Sequence, residues 1–136
     1  HTRLRTVTGV QTCALPIFVS GATQAGKTTL MNALLNAAAG ADRIITCEEV
    51  FELQLTTPDW VALQTRQPNL EGAGEIPLRR LIKEALRMRP SRLVVGEVRH
   101  EECLDLLIAM NAGMPSMCSI HADGAREALA KGGLSC

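Results

Sequence analysis

Residues 17–30 read Ile-Phe-Val-Ser-Gly-Ala-Thr-Gln-Ala-Gly-Lys-Thr-Thr-Leu: a short apolar run, a glycine-bounded loop and the first turn of an apolar helical pattern. Gly21, Gly26, Lys27 and Thr28 satisfy the spacing G-x-x-x-x-G-K-[ST]. In that spacing glycines let backbone N–H groups curl around phosphate oxygens, and the following helix directs its positive end at them. The surrounding pattern is the one the loop needs. Ile17 to Val19 are strand formers, and Leu30, Met31, Leu34 and Leu35 recur at helical spacing, predicting a helix over 27–38. Ala22, Thr23, Gln24 and Ala25 fill the loop between the glycines. Lys27 is expected to reach β- and γ-phosphates and the Thr28 hydroxyl to ligate Mg²⁺. Thr29 supplies either a second hydroxyl near the phosphates or only first-turn polarity.

A chain of 136 residues is at most one domain. Its net charge is zero and only 2% of its residues are aromatic, which weighs against a single-strand nucleic-acid binder, since such proteins use stacking rings in a basic groove. The cysteines at 13, 47, 103, 118 and 136 form no C-x-x-C pair and no metal-like spacing, as expected in a reducing compartment. Cys47 and Cys118 sit in apolar runs, where a buried small side chain is the expectation. No run is long enough to cross a membrane.

Along the chain, residues 1–16 lack clear periodicity and meet the first strand abruptly at Pro16; they are read as a leader foreign to the domain, or disordered. Residues 43–47 and 61–65 read as strands and 68–74 as a loop able to approach phosphates or a neighbouring subunit. A helix is expected from Pro77 to about Met88, a strand over 93–97, a helix over 101–110, a strand over 117–120 and a helix over 122–131. Residues 132–136 carry no signal.

Strands that end near Ser20, Cys47, Glu97 and Ile120 would deliver the glycine loop, Glu48, Glu97 and His121 to one edge of a parallel sheet, where α/β folds open their ligand crevices. Glu48 is placed to polarise an attacking water, although a solvated acidic turn at Glu48 and Glu49 is the plainer alternative. Glu97, at the end of an apolar strand, fits the carboxylate that supports Mg²⁺. His121 alone would read as structural; in this company it reads as a γ-phosphate sensor.

Together, GATQAGKTTLMNALL, RIITCEEVFEL and the stretch from LQTRQPNLEGAGEIPLRRLIKEALRMRP through SRLVVGEVRHEECLDLLIAMNAGMPSMCSIHADGAREAL resemble the nucleotide-binding core of the type II/type IV secretion ATPases. The nearest branch is the one (CpaF/TadA) that drives Flp pilus assembly. The resemblance covers residues 17–131. It implies a RecA-like α/β P-loop ATPase core, a mainly parallel sheet flanked by helices, that uses ATP and Mg²⁺. It further implies homo-hexamers with ATP between protomers, in the cytoplasm and peripheral to the inner membrane through a platform protein, with no direct nucleic-acid partner. By position, residues 21–28 match the Walker A loop, Glu48 the water-activating acid of the Asp box, Gly96 and Glu97 an atypical Walker B, and His121 the His box. Arg66 and Arg99 fall at arginine-rich positions that imply charge stabilisation. The chain departs from the pattern at Gln24-Ala25, where Gly-Ser is commoner, and at Glu49, where Asp is usual. The resemblance also implies family segments on either side of this core. A DNA-dependent ATPase or conjugation protein, and a nucleotide-binding subunit without turnover, are the alternatives.

Overall fold

The computed structural model describes residues 17–38, 40–111 and 113–122, together with 126, 127 and 130. The leader expected over 1–16, most of the helix expected over 122–131 and the tail 132–136 lie outside the described residues. Eight elements follow in order: β1 (Ile17–Gly21), α1 (Lys27–Ala38), β2 (Ile44–Glu48), β3 (Trp60–Gln64), α2 (Leu78–Arg87), β4 (Arg92–Val95), α3 (His100–Asn111) and β5 (Ser116–His121).

The strands form one parallel sheet in the order β1-β5-β4-β2-β3. β2, β4 and β5 are buried almost throughout, so their sequences are apolar on both faces rather than alternating. Successive side chains divide between two cores. Ile45, Cys47, Leu93, Val95, Cys118 and Ile120 meet Leu78, Ile82 and Ala85 of α2 and Cys103 and Leu106 of α3. Ile44, Val94, Met117 and Val19 meet Met31 and Leu35 of α1, with Leu53 and Leu55 closing that side. The result is a three-layer α/β/α unit, as expected from the sequence.

Helix α2 begins after Pro77, whose φ of −72° suits a helix entry, and buries Leu78, Ile82 and Ala85 while its basic residues face outward. It stops at Met88, whose N–H donates to the Ala85 carbonyl; Arg89 then takes a left-handed φ of 55° and Pro90 prevents continuation. Across the α2–α3 contact the Arg79 guanidinium pairs with Asp105. No described helix is long and apolar enough to cross a membrane.

Every strand differs from the sequence reading by a residue or two at its ends: β1 runs on to Gly21, β3 is 60–64 rather than 61–65, β5 is 116–121 rather than 117–120, and the ends of β2 and β4 bear on the site. β2 runs one residue further than expected, to Glu48, because Thr65 N–H donates to the Glu48 carbonyl at 2.9 Å and continues the ladder with the β3 side. β4 ends at Val95 rather than Glu97. The Gly96 N–H still donates to the Cys47 carbonyl, but the Gly96 carbonyl turns to the Ser119 hydroxyl, and Glu97 leaves the sheet exposed.

Candidate functional site

All five strands point the same way, so their carboxyl ends share one edge, and a cleft of about 830 Å³ opens there. It is lined by the loop from Thr23 to Thr29, by Glu48, Glu49 and Glu52 after β2, by Glu97 and Arg99 after β4, and by His121 at the end of β5. Glycine loop, acidic residues and histidine are therefore brought together, from four strand ends. Gly21 pairs in register with His121, and Ala122 N–H reaches the Gly21 carbonyl at 3.4 Å, which joins the loop to the histidine end of β5.

The loop turns tightly. Ala25 N–H donates to the Ala22 carbonyl at 3.2 Å, and both Gln24 and Gly26 have positive φ, 62° and 85°. Gly26 adopts this freely; Gln24 does so at a cost of about 1 kcal/mol, because a β-carbon crowds the backbone in the left-handed region. The departure at Gln24 thus falls on the backbone as well as on the side chain. A β-carbon on Gly21 would come within 3.1 Å of the Ala25 β-carbon, so glycine lets the loop fold onto the strand end. The Lys27 ammonium lies across the loop, donating to the Gly21 and Ala22 carbonyls at 3.0 Å each.

Glu48 is 2% exposed. Its Oε1 accepts from the N–H groups of Glu52 and Leu53, both at 2.9 Å, while the buried Oε2 has no protein partner. A buried carboxylate oxygen without a donor is costly to maintain. Gly96 makes room for this side chain, since a β-carbon there would stand 3.0 Å from Glu48 Cγ. The hydroxyl of Ser119, itself buried, donates to the Gly96 carbonyl, and the Ser119 backbone carbonyl accepts from Val98 N–H at 2.9 Å, fixing the turn that carries Glu97 to the cleft.

Glu52 is the site residue that the sequence reading overlooked. Its Oε2 accepts a 2.8 Å hydrogen bond from the Thr28 hydroxyl, the first helical threonine of the loop motif. The signal was present: Glu48 and Glu52 stand four apart in the RIITCEEVFEL stretch, and Thr28, Asn32 and Asn36 make a polar stripe on α1. At the rim, Arg99 pairs with Glu49 at 3.1 Å, both side chains largely exposed, so this bridge adds little stability.

Arg66 does not line the cleft. Its backbone forms an antiparallel bridge with Ile76, its guanidinium packs over Gly74, and together these close the loop that Asn69 organises by accepting from the N–H groups of Glu71 and Ala73. Cys47 and Cys118 are buried below the site, as expected. Burial, then the neighbouring Glu48 carboxylate, pushes the Cys47 thiol up to about 12, and burial raises Cys118 and Cys103 as well.

The donor set suits Mg²⁺ carried on a polyphosphate. Among the described residues no three His, Cys, Asp or Glu side chains converge as a metal cage. Mg²⁺ bound with nucleotide needs only one or two protein oxygens and keeps its other positions for water and phosphate. The Thr28 hydroxyl beside a carboxylate, in a cleft that also holds Lys27, offers that minimal set.

Known proteins resemble the chain in sequence and in fold. The chain is 44% identical over 126 residues to a putative conjugal transfer protein of Mycobacterium tuberculosis, an alignment covering 92% of this chain and 36% of the relative. It is 33% identical over 117 residues to the type IV secretion system protein VirB11 of Bartonella quintana, covering 85% and 33% respectively. Its fold matches the crystal structure of the VirB11 ATPase from the Brucella suis type IV secretion system with a TM-score of 0.76 and 32% identity, covering 93% of this chain and 36% of that one. The chain thus spans about a third of the length of these relatives. The family model for type II/IV secretion system proteins matches residues 2–131, and the chain belongs to that family.

Proposed function

We propose that the cleft binds and hydrolyses ATP, and that the chain is the nucleotide-binding core of a motor subunit of a type II/IV secretion or pilus assembly system. The observation that carries this reading is the pairing of Lys27 on the loop carbonyls with Thr28 on Glu52, which puts the cation and the hydroxyl of the loop motif at one end of a carboxylate-lined cleft. Its reaction would be attack of water on the γ-phosphate, releasing ADP and phosphate.

In this reading the N–H groups of residues 22–27 and the positive end of α1 hold the phosphates. Lys27 exchanges its two loop carbonyls for phosphate oxygens. Thr28, with Glu97 nearby on the rim, would hold Mg²⁺, which neutralises charge on the phosphates when bound. The unpartnered Oε2 of Glu48 accepts a hydrogen bond from the attacking water and orients it, while Glu52 stays beside Thr28 at the metal end. His121 and Arg99 reach toward the γ-phosphate from the opposite strand ends. Arg66, outside this cleft, would act on a neighbouring protomer's nucleotide, in a homo-hexamer docked in the cytoplasm on an inner-membrane platform protein. Among family branches, the Flp pilus motors (CpaF/TadA) are the kin we propose for the parent protein.

A second reading has a specific observation behind it: the relative at 44% identity is described as a conjugal transfer protein. Under that reading the motor serves export of DNA, still without direct nucleic-acid contact by this core.

The test is a titration with Mg²⁺·ATP followed by phosphate-release kinetics, each beside Lys27→Ala. Binding and hydrolysis that the variant loses, the latter by about 100-fold or more, support the assignment. Equal behaviour of the two proteins refutes it. Stimulation of hydrolysis by DNA would move the reading to a DNA-dependent ATPase.

A further inference from the structure

Residues 51–57 run alongside α1 outside the sheet, with Leu53 and Leu55 turned into the core between α1 and the sheet, and their backbone groups have no strand to pair with. Two asparagines on α1 take the place of that strand. Gln54 N–H donates to Asn32 Oδ1 at 2.8 Å, and Asn32 Nδ2 reaches the Glu52 carbonyl at 3.4 Å. One turn further along, Asn36 Nδ2 donates to the Gln54 carbonyl at 3.0 Å, and Asn36 Oδ1 accepts from both the N–H and the hydroxyl of Thr56, at 2.8 and 3.0 Å. Each carboxamide offers a donor and an acceptor side by side, so each mimics a peptide group. Thr28, Asn32 and Asn36 are spaced four apart and lie on one helix face, and all three bond to residues 52–56.

We propose that Asn32 and Asn36 are positioning residues that fasten the 52–56 segment to α1 and so hold the Glu52 carboxylate over Thr28. The helix that begins at the phosphate loop and the acid four residues after β2 then move as one body. Leu53 and Leu55 anchor the segment from the core side; without the two carboxamides, the polar ties left around Glu52 are the Thr28 bond and the amide bonds of Glu52 and Leu53 to Glu48. The inference rests on the reading of the cleft as a Mg²⁺·ATP site for its functional half; the fastening itself does not.

The experiment has two arms on the full chain. The first is amide hydrogen exchange of the ligand-free protein. Asn32→Ala should speed exchange at Gln54, and Asn36→Ala at Thr56, each by about 5-fold, the equivalent of one ordinary hydrogen bond. Unchanged rates at both amides would overturn the fastening. The second arm measures ATP affinity with Mg²⁺ and with chelator, giving the metal enhancement as a ratio. Asn32→Ala should lower that ratio about 5-fold in the native background and by less than 2-fold in a Glu52→Gln background, because its effect passes through Glu52. An equal drop in both backgrounds would mean a merely structural asparagine and would overturn the positioning role. Should Asn32→Ala lose its fold by circular dichroism, Asn36→Ala, further from the cleft, carries the same cycle. If the unmutated protein binds no nucleotide with or without Mg²⁺, the ATP-site reading falls, and the exchange arm alone decides the fastening.

Discussion

The Thr28 hydroxyl and the Glu52 carboxylate, 24 residues apart, meet at 2.8 Å where the glycine loop enters α1. A hydroxyl that donates to a carboxylate keeps its lone pairs available, so a cation arriving with nucleotide finds two oxygens already adjacent. Thr28→Val should remove one and leave the other without its donor. The expected result is a loss of about 10-fold in Mg²⁺-dependent ATP affinity, with affinity in chelator unchanged; calorimetric titration in the two media measures both. A uniform loss in the two media would show that the pair serves packing and not metal.

Glu48 and Glu52 are separable by experiment, because their surroundings differ. Glu48→Gln keeps an acceptor for the N–H groups of Glu52 and Leu53 and replaces the unpartnered Oε2 by an amide nitrogen. Stability should change by no more than about 1 kcal/mol, whereas hydrolysis should fall about 100-fold or more if Oε2 orients water. Denaturant unfolding and phosphate release on the same preparation give the two numbers, and unchanged turnover would remove Glu48 from the chemistry.

Two glycines at the site should respond to alanine for different reasons. At Gly96 the obstacle is Glu48 Cγ, 3.0 Å from the new β-carbon, with the Glu48 backbone behind it at 3.7 Å. Gly96→Ala is expected to cost about 1–3 kcal/mol through overpacking and to displace the buried carboxylate. At Gly26 nothing stands within 4 Å, but φ is 85°. Gly26→Ala should cost about 1–2 kcal/mol by backbone strain alone. A Glu48→Ala background should relieve the first and leave the second untouched, as read from urea midpoints.

Most of the architecture was legible from residue pattern. The apolar runs of β2, β4 and β5 announced strands buried on both faces, and Pro77 and Pro90 bracketed α2. The strand ends were less so, because they depend on what the neighbouring strand offers: Gly96 leaves the β4 ladder for a hydroxyl on β5, and no local property of residues 93–97 encodes that. Glu52 was overlooked although its spacing from Glu48 and the polar stripe on α1 were in the sequence, because neither signal says that the two elements meet. Its meaning comes from Thr28, on another element, and from two asparagines that read as ordinary polar helix positions. Arg66 was expected, from the resemblance, to stabilise charge; its guanidinium lies over Gly74 and its backbone bridges to Ile76, so it stands outside the cleft of its own chain, a placement that depends on residues further along the chain.

Alkaline pH should expose the buried thiols. Cys47 is raised from 9.0 to about 12 by burial and then by Glu48, so between those values the unfolded chain has lost a proton that the folded chain retains. Stability from this source is therefore complete below about pH 9 and declines as pH climbs toward 12. Cys103 and Cys118 are raised in the same direction and steepen the decline. Cys47→Ala should flatten the stability–pH slope above pH 9 whatever its effect at neutrality. An unchanged slope would mean that Cys47 is more accessible to water than its burial indicates.

The strand order carries a consequence for how the molecule assembles itself. Among the described residues β1, which leads into the glycine loop, pairs only with β5, joining Ile17 to Met117 from opposite ends of the described chain. The pairings among β4, β2 and β3, at the other side of the sheet, involve shorter separations, and closing a long chain segment costs more entropy than closing a short one. Glu48, at the end of β2, can thus be in place before the loop that faces it arrives. Nucleotide binding, as proposed for this cleft, is then expected late in folding, once the emerging chain has supplied β5 and β1 can dock against it.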